Sequence, residues 1–365
     1  MLKHSLVLAL AAVSVANAFF VAPAPRVSTT TMMEGKATLD TLNRVVLTDD
    51  ATGHSATVHL HGGCVTSYKA PHEVLGIRAD AAFTGAKPIA GGLQICWPQF
   101  GAGAIQVRFD LFCDYVELFF LLSFFVDLVL LCLLHLFMPI HQSLHPLTSH
   151  THPSTPPPPP PHTQQHGFAR NLPWEVSAQS ATEPEVTLVL KESAETRKIW
   201  DQAFELYLTV RLEGDHMLTR LTAKNTGKTP WDFTSALHSY YSVSDISKTT
   251  IIGTGLAGKT FVDKTQDPFV SAPLPASEIG ITKFLEGVIP DDKGPMALHD
   301  KARRVRTTVE HVKGWNDYIL WAPVGNDGMG YKSFVCVESG AVSKPVTVAG
   351  GAEWVGEMKI SSRAG

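Results

Sequence analysis

Apolar and polar positions along most of this chain follow short β-type runs, and no long segment repeats with the 3.6-residue period of a helix. Residues 45–48, 55–60, 186–190 and 204–210 are rich in β-branched and aromatic side chains, which suit a pleated, half-buried surface. Residues 216–225 roughly alternate apolar and polar and then meet a turn signal at Thr226-Gly227. Residues 318–321 and 334–338 read as two more strands. Turn signals recur every ~8–15 residues, as many short strands in one domain require. The pattern predicts an all-β fold, a large β-sandwich.

Two segments break this pattern. The first is the N-terminus, where a short basic start (Lys3, His4) leads into a small apolar stretch, residues 5–15, and then Ala16-Asn17-Ala18. That order predicts a signal peptide over 1–18, and the apolar part is short for a membrane span. Residues 19–33 carry Arg26, a Ser/Thr run and no acid, the composition of a transit peptide. With the Ala18-Phe19 junction, the leader resembles the bipartite plastid presequence of algae with secondary plastids; secretion is the alternative.

The second break is 107–164. Residues 111–137 are Leu/Phe-rich with Asp114, Glu117 and Asp127 embedded, and Pro156 to Pro161 form an unbroken proline run. Three readings are open: a membrane span with a proline-rich linker, a long insertion with polyproline II structure, and an intron read through in frame. We favour the intron. Val107 must be encoded by a codon beginning GT, proline codons make a pyrimidine-rich tract, and Gln164 can supply a closing AG. A structureless excursion this long inside a domain also argues against an evolved element. Residues 34–106 and 165–365 then form a single domain.

Composition narrows the function classes. A net charge of -4 gives no basic surplus, so no nucleic-acid partner is expected. The 5 cysteines are scattered with no CxxC, which speaks against a disulfide framework or a cysteine zinc site. There is no GxGxxG and no Walker loop. The chemistry-bearing residues lie elsewhere. Glycines flank an apolar-aromatic run from Gly91-Gly92 to Gly101, and His166 and Arg170 stand four apart around Gly167. An imidazole and a guanidinium so placed could face one ligand, or could belong to an ordinary turn.

These two blocks resemble the glucose-6-phosphate 1-epimerase branch of the aldose 1-epimerase family. Further blocks match in order: Trp231-Asp232-Phe233 through Leu237-His238-Ser239-Tyr240-Tyr241, Gly255-Leu256 through Asp263-Lys264, and Tyr331-Lys332 through Val337-Glu338-Ser339-Gly340. The resemblance implies a galactose-mutarotase-like supersandwich of antiparallel sheets. It implies interconversion of the α and β anomers of a hexose 6-phosphate by acid/base ring opening, with no metal or other cofactor. By the same resemblance Glu338 is the general base, His238 the general acid and His166 a sugar-binding histidine. Arg170 would bind phosphate, Asp263 a sugar hydroxyl, and Lys87 would assist with the anion.

The chain departs from the family pattern in places. The arginine usually found before the Gly-Gly pair is Ala90, Gln94 replaces a small residue or proline, and Ala322 stands where the family has asparagine. The stretch 280–290 lacks the usual acidic pattern. Losing one charge-assisted bond to phosphate costs about 1.5–3 kcal/mol, or one to two decades in affinity. An unphosphorylated-aldose mutarotase and a silent carbohydrate-binding protein are therefore the alternatives. A monomer is expected, without a membrane unless 111–137 is a true span.

Overall fold

The computed structural model describes residues 37–102, 165–180 and 183–365. The leader readings for 1–18 and 19–33 and all three readings of 107–164 lie outside the described residues. Among the described residues the strands run β1 (Ala37–Leu39), β2 (Arg44–Asp49), β3 (His54–His59), β4 (Cys64–Lys69), β5 (Leu93–Cys96), β6 (Glu175–Gln179) and β7 (Glu185–Lys191). They continue as β8 (Phe204–Glu213), β9 (His216–Asn225), β10 (Trp231–Ser242), β11 (Thr249–Gly253), β12 (Thr260–Asp263), β13 (Val270–Pro273) and β14 (Glu278–Gly280). The last are β15 (Leu285–Ile289), β16 (Met296–Asp300), β17 (Val305–Lys313), β18 (Asp317–Ala322), β19 (Phe334–Val348) and β20 (Glu353–Ala364). Each strand expected from the sequence falls within one of these, except that the run 55–60 ends one residue beyond β3, at Leu60.

Among the described residues one short α-helix, α1 (Ala194–Ile199), interrupts them. Ser193 caps it: its hydroxyl accepts from Thr196 N at 3.2 Å while its own N–H donates to Thr196 Oγ1 at 2.8 Å. The cap satisfies N–H groups that a first helical turn leaves unpaired. Six residues are too few to show a helical period in the sequence.

The strands form two antiparallel sheets. An 11-stranded sheet runs β1-β2-β3-β4-β5-β10-β19-β18-β15-β12-β13, and a 9-stranded sheet runs β14-β11-β16-β17-β20-β9-β8-β7-β6. The main apolar core lies between them, drawing Leu93, Leu237, Val335, Val337 and Leu320 from the larger sheet and Leu206, Leu208, Leu221 and Ile360 from the smaller. Near its centre Trp97 meets Trp200, Phe204 and Trp231 at ring-centroid distances of 5.1, 4.7 and 6.1 Å. Such pairs add about 0.5–1.5 kcal/mol each beyond their buried area.

Side chains alternate across a strand, so the larger sheet has a second face. There Cys96, Ala236, Val288 and Ile319 form one small cluster and Tyr240, Phe334 and Cys336 another. The candidate site lies on this second face, at the middle of β5, β10, β19, β18 and β15.

Candidate active site

Register brings the central residues together. Leu237 pairs with Ser339 and Tyr240 with Cys336, so His238 of β10 and Glu338 of β19 sit opposite each other between those pairs. His238 also faces Gln94 of β5, and Glu338 faces Ile319 of β18, which faces Val288 of β15. The site is thus one cross-strand row, Gln94, His238, Glu338, Ile319, Val288. A neighbouring row holds Tyr240, Cys336, Trp321 and Glu286. A cavity of about 680 Å³ opens over both rows and is large enough for a monosaccharide.

His238 Nδ1 lies 3.2 Å from Glu338 Oε1. The alignment is not that of a hydrogen bond: His238 Nδ1 and Glu338 Oε2 are buried without a hydrogen-bond partner. Orphaned polar atoms of this kind cost stability, and they cluster where a substrate will supply the partner. The imidazole is held in place by its faces. It stacks on Tyr240 at 4.7 Å and 7°, with Trp321 edge-on at 5.9 Å.

His166 and Arg170 reach the same cavity from a turn that docks on the end of β5. Phe168 N and Ala169 N both donate to the Trp97 carbonyl, at 3.0 and 3.2 Å. Gly167 makes this approach possible: its φ is +67°, and a Cβ there would stand 2.2 Å from the Trp97 carbonyl oxygen. His166 N donates to the Gly101 carbonyl at 2.8 Å, and Gly101 N donates back to His166 Nδ1 at 3.1 Å. Accepting at Nδ1 puts the proton of the neutral ring on Nε2. The ring centroid of His166 stands 5.5 Å from that of His238. Arg170 donates Nη1 to Gln94 Oε1 and Nη2 to the Gln165 carbonyl, both at 2.9 Å.

Burial and charge push the titrating groups apart from their usual values. Desolvation holds His238 well below the ordinary imidazole range, helped by His166, Arg170 and Arg78. His166 is pushed down to about 3, first by burial and then by Arg170 and Lys264. Glu338 moves the other way: burial and then the Glu286 carboxylate raise it well above the usual carboxylate range, while Arg170 and Lys264 oppose the rise. Only 1% of Glu338 reaches solvent. Desolvation thus favours the uncharged form of each partner, with the pair's one proton on Glu338.

A cation could be held by one group of the described residues. Donor atoms of His238, Cys336 and Glu338 lie within 4.8 Å of one another. Burial pushes the Cys336 thiol well above its ordinary value, so a metal would first have to displace that proton.

The sequence matches the family model for aldose 1-epimerase over residues 151–361. The chain belongs to the aldose 1-epimerase family. It is 28% identical over 343 residues to a Cenchrus ciliaris protein named "Putative glucose-6-phosphate 1-epimerase", covering 88% of this chain and 85% of that protein. Among solved structures it is similar to a Salmonella typhimurium protein described as a "putative mutarotase", at TM-score 0.65 and 22% identity, covering 90% of this chain and 93% of the other. A galactose mutarotase-like protein from Clostridium acetobutylicum gives TM-score 0.62 at 14% identity, covering 90% and 98%. The two sheets are thus a galactose-mutarotase-like supersandwich, and membership of the aldose 1-epimerase family makes the chain a mutarotase-type isomerase.

Of the residues expected at an aldose 1-epimerase site, the structure brings His166, Arg170, His238 and Glu338 to one cavity. Asp263 and Lys87 are not among the residues lining it. On β12, Val262 packs with the cavity-side cluster and Lys264 lines the cavity, so alternation turns Asp263 between them the other way. Its carboxylate accepts from Thr265 N at 2.8 Å, Thr265 Oγ1 at 2.6 Å and Gln266 Nε2 at 3.2 Å. Lys87 is exposed, and its carbonyl meets His61 Nε2 at 2.9 Å.

Several lining residues escaped the sequence reading: Arg78, Lys264, Glu286, Trp321 and Tyr240. Tyr240 was accessible by counting two positions on from His238 in a strand. Arg78 and Glu286 carried no such signal, since only pairing across distant strands places them. No helix among the described residues is long and apolar enough to cross a membrane.

Proposed function

We propose that this chain interconverts the α and β anomers of a hexose 6-phosphate, glucose 6-phosphate above all, by opening and reclosing the pyranose ring. The observation that carries the reading is the buried His238–Glu338 pair, 3.2 Å apart and unpartnered, facing a cavity that also holds guanidinium groups. Ring opening needs a base for the C1 hydroxyl proton and an acid for the ring oxygen, and this pair holds one proton between two such groups.

Desolvation sets that proton on Glu338. Once the sugar brings the two groups into hydrogen-bond alignment, its transfer to His238 leaves the same net charge and gives the carboxylate–imidazolium form. Arg170 and Lys264 favour the carboxylate in that form. Glu338 then takes the C1 hydroxyl proton while His238 protonates the ring oxygen. Rotation about C1–C2 and the reverse transfers close the ring on the other face. Both groups end each cycle as they began, so no net proton leaves the site. His166, with its proton on Nε2, can donate to a sugar hydroxyl, and the Arg170 guanidinium suits the phosphate.

The test is anomer exchange measured by NMR on glucose 6-phosphate and on glucose. Exchange of glucose 6-phosphate is expected to rise well above the spontaneous rate and above that of glucose at equal concentration. Exchange at the spontaneous rate for both sugars would sink the catalytic reading. Equal acceleration of both would favour an aldose mutarotase indifferent to phosphate.

A further inference from the structure

A second guanidinium reaches the cavity from the segment that crosses beside the Gly91-Gly92 pair. Ile77 bridges to Gly91, and Arg78 N donates to the Ala90 carbonyl at 3.1 Å. The backbone of Arg78 is thereby fixed against Ala90. Its side chain lines the same cavity as His238 and Glu338, with 17% of it exposed. Asp80 holds it by a two-point contact, accepting from Nε at 2.8 Å and from one Nη.

That contact orients the guanidinium without exhausting it. Asp80 takes two of its five N–H donors and Tyr240 also hydrogen-bonds the group, which still leaves donors for an anion. Arg170 likewise spends two N–H donors, on Gln94 and Gln165, so both guanidinium groups keep donors for an anion. Ala90, the backbone partner of Arg78, lines the cavity with only a methyl group and leaves room before the guanidinium. The acids lining the cavity are Glu286 and Glu338, and no hydrogen bond joins either to Arg78.

We propose that Arg78, oriented by Asp80, is a second cation, beside Arg170, for the phosphate group of the sugar in this chain. This rests on the reading of the substrate as a hexose 6-phosphate. Arg78 sits on the cavity wall where the anion meets it, and specificity for the phosphorylated sugar then depends on a residue outside the Gly-Gly block.

The experiment uses the full chain with Arg78→Gln, Arg78→Lys and the double variant Arg78→Gln/Ala90→Arg. Inorganic phosphate is titrated into each by calorimetry, and anomer exchange is measured with glucose 6-phosphate and with glucose. Arg78→Gln is expected to weaken phosphate binding about tenfold or more, and to raise KM for glucose 6-phosphate by about 10- to 100-fold more than for glucose. Arg78→Lys should recover part of the loss, since it keeps the charge but not the fork. Ala90→Arg should also recover part of it, because it returns a guanidinium to the adjoining backbone position. Unchanged phosphate binding in Arg78→Gln, no phosphate binding by the parent chain, or equal losses for both sugars would overturn the assignment. If the parent chain exchanges glucose 6-phosphate no faster than glucose, the substrate reading fails. The phosphate titration still decides the role of Arg78 in that case.

Discussion

Strands β10 and β19 show two faces made from the same stretches of chain. On one, Leu237, Tyr241, Val335 and Val337 pack into the core between the sheets. On the other, one residue away, His238, Tyr240 and Glu338 line the cavity and Cys336 packs beside Tyr240. Both faces are buried, yet they obey opposite rules. The core face has apolar contacts that favour folding, whereas the cavity face keeps a titrating pair with unmet polar atoms. The comparison teaches that catalytic potential here is set by strand register, and that the well-packed face holds the costly one in place.

The sharpest way to break this comparison is to neutralise the cavity face. Glu338→Gln and His238→Asn should each lower anomer exchange by about 10²- to 10⁴-fold, the usual range for a lost acid or base. Their unfolding midpoints should stay level or rise, because a desolvated ionisable group has been removed. A large drop in urea midpoint in either variant would show that the pair serves the fold.

The reverse substitution comes next in size. Leu237→Ala should cost about 2–5 kcal/mol in urea unfolding through lost burial and a cavity. Exchange per folded molecule should change little. If activity falls as far as in Glu338→Gln while the protein stays folded, the two faces are not separable in the way described.

The smallest effect concerns acid stability. His166 is pushed down to about 3 in the folded protein against an ordinary 6.5. Between those values the unfolded chain binds the proton and the folded one does not. The stability tied to a neutral His166 is therefore full above pH 6.5 and lost as pH falls toward 3. His166→Gln should remove about 1–2 kcal/mol of that loss at pH 5, read as a smaller shift in urea midpoint between pH 7 and pH 5. An unchanged shift would mean that His166 takes up its proton without unfolding. His59 and His311, both held down to about 4 by burial, should keep some acid sensitivity in the variant.

Much of the fold was legible because strand alternation is a local signal. Residues 204–210 and 216–225 became β8 and β9, and 334–338 opened β19. The 15-residue length of β19 was not legible, since its second half is largely exposed and carries Ser343, Lys344 and Pro345. At the site, His166, Arg170, His238 and Glu338 came from ordered resemblance, and register then explained why they meet. Asp263 sits in a matching block, but alternation along its strand, which the resemblance does not carry, turns it away from the cavity lining. Arg78 and Glu286 depend on pairing between segments far apart in sequence, which no local pattern carries. Gln94 looked like a departure, yet its carbonyl holds Arg170.

The mutual hydrogen bonds between Gly101 and His166 work like a double staple. One bond alone would leave the ring free to swing about it, whereas one from the His166 backbone and one to its ring hold the peptide and the imidazole together. The staple also selects the tautomer, so the backbone decides that Nε2 carries the proton before any sugar arrives.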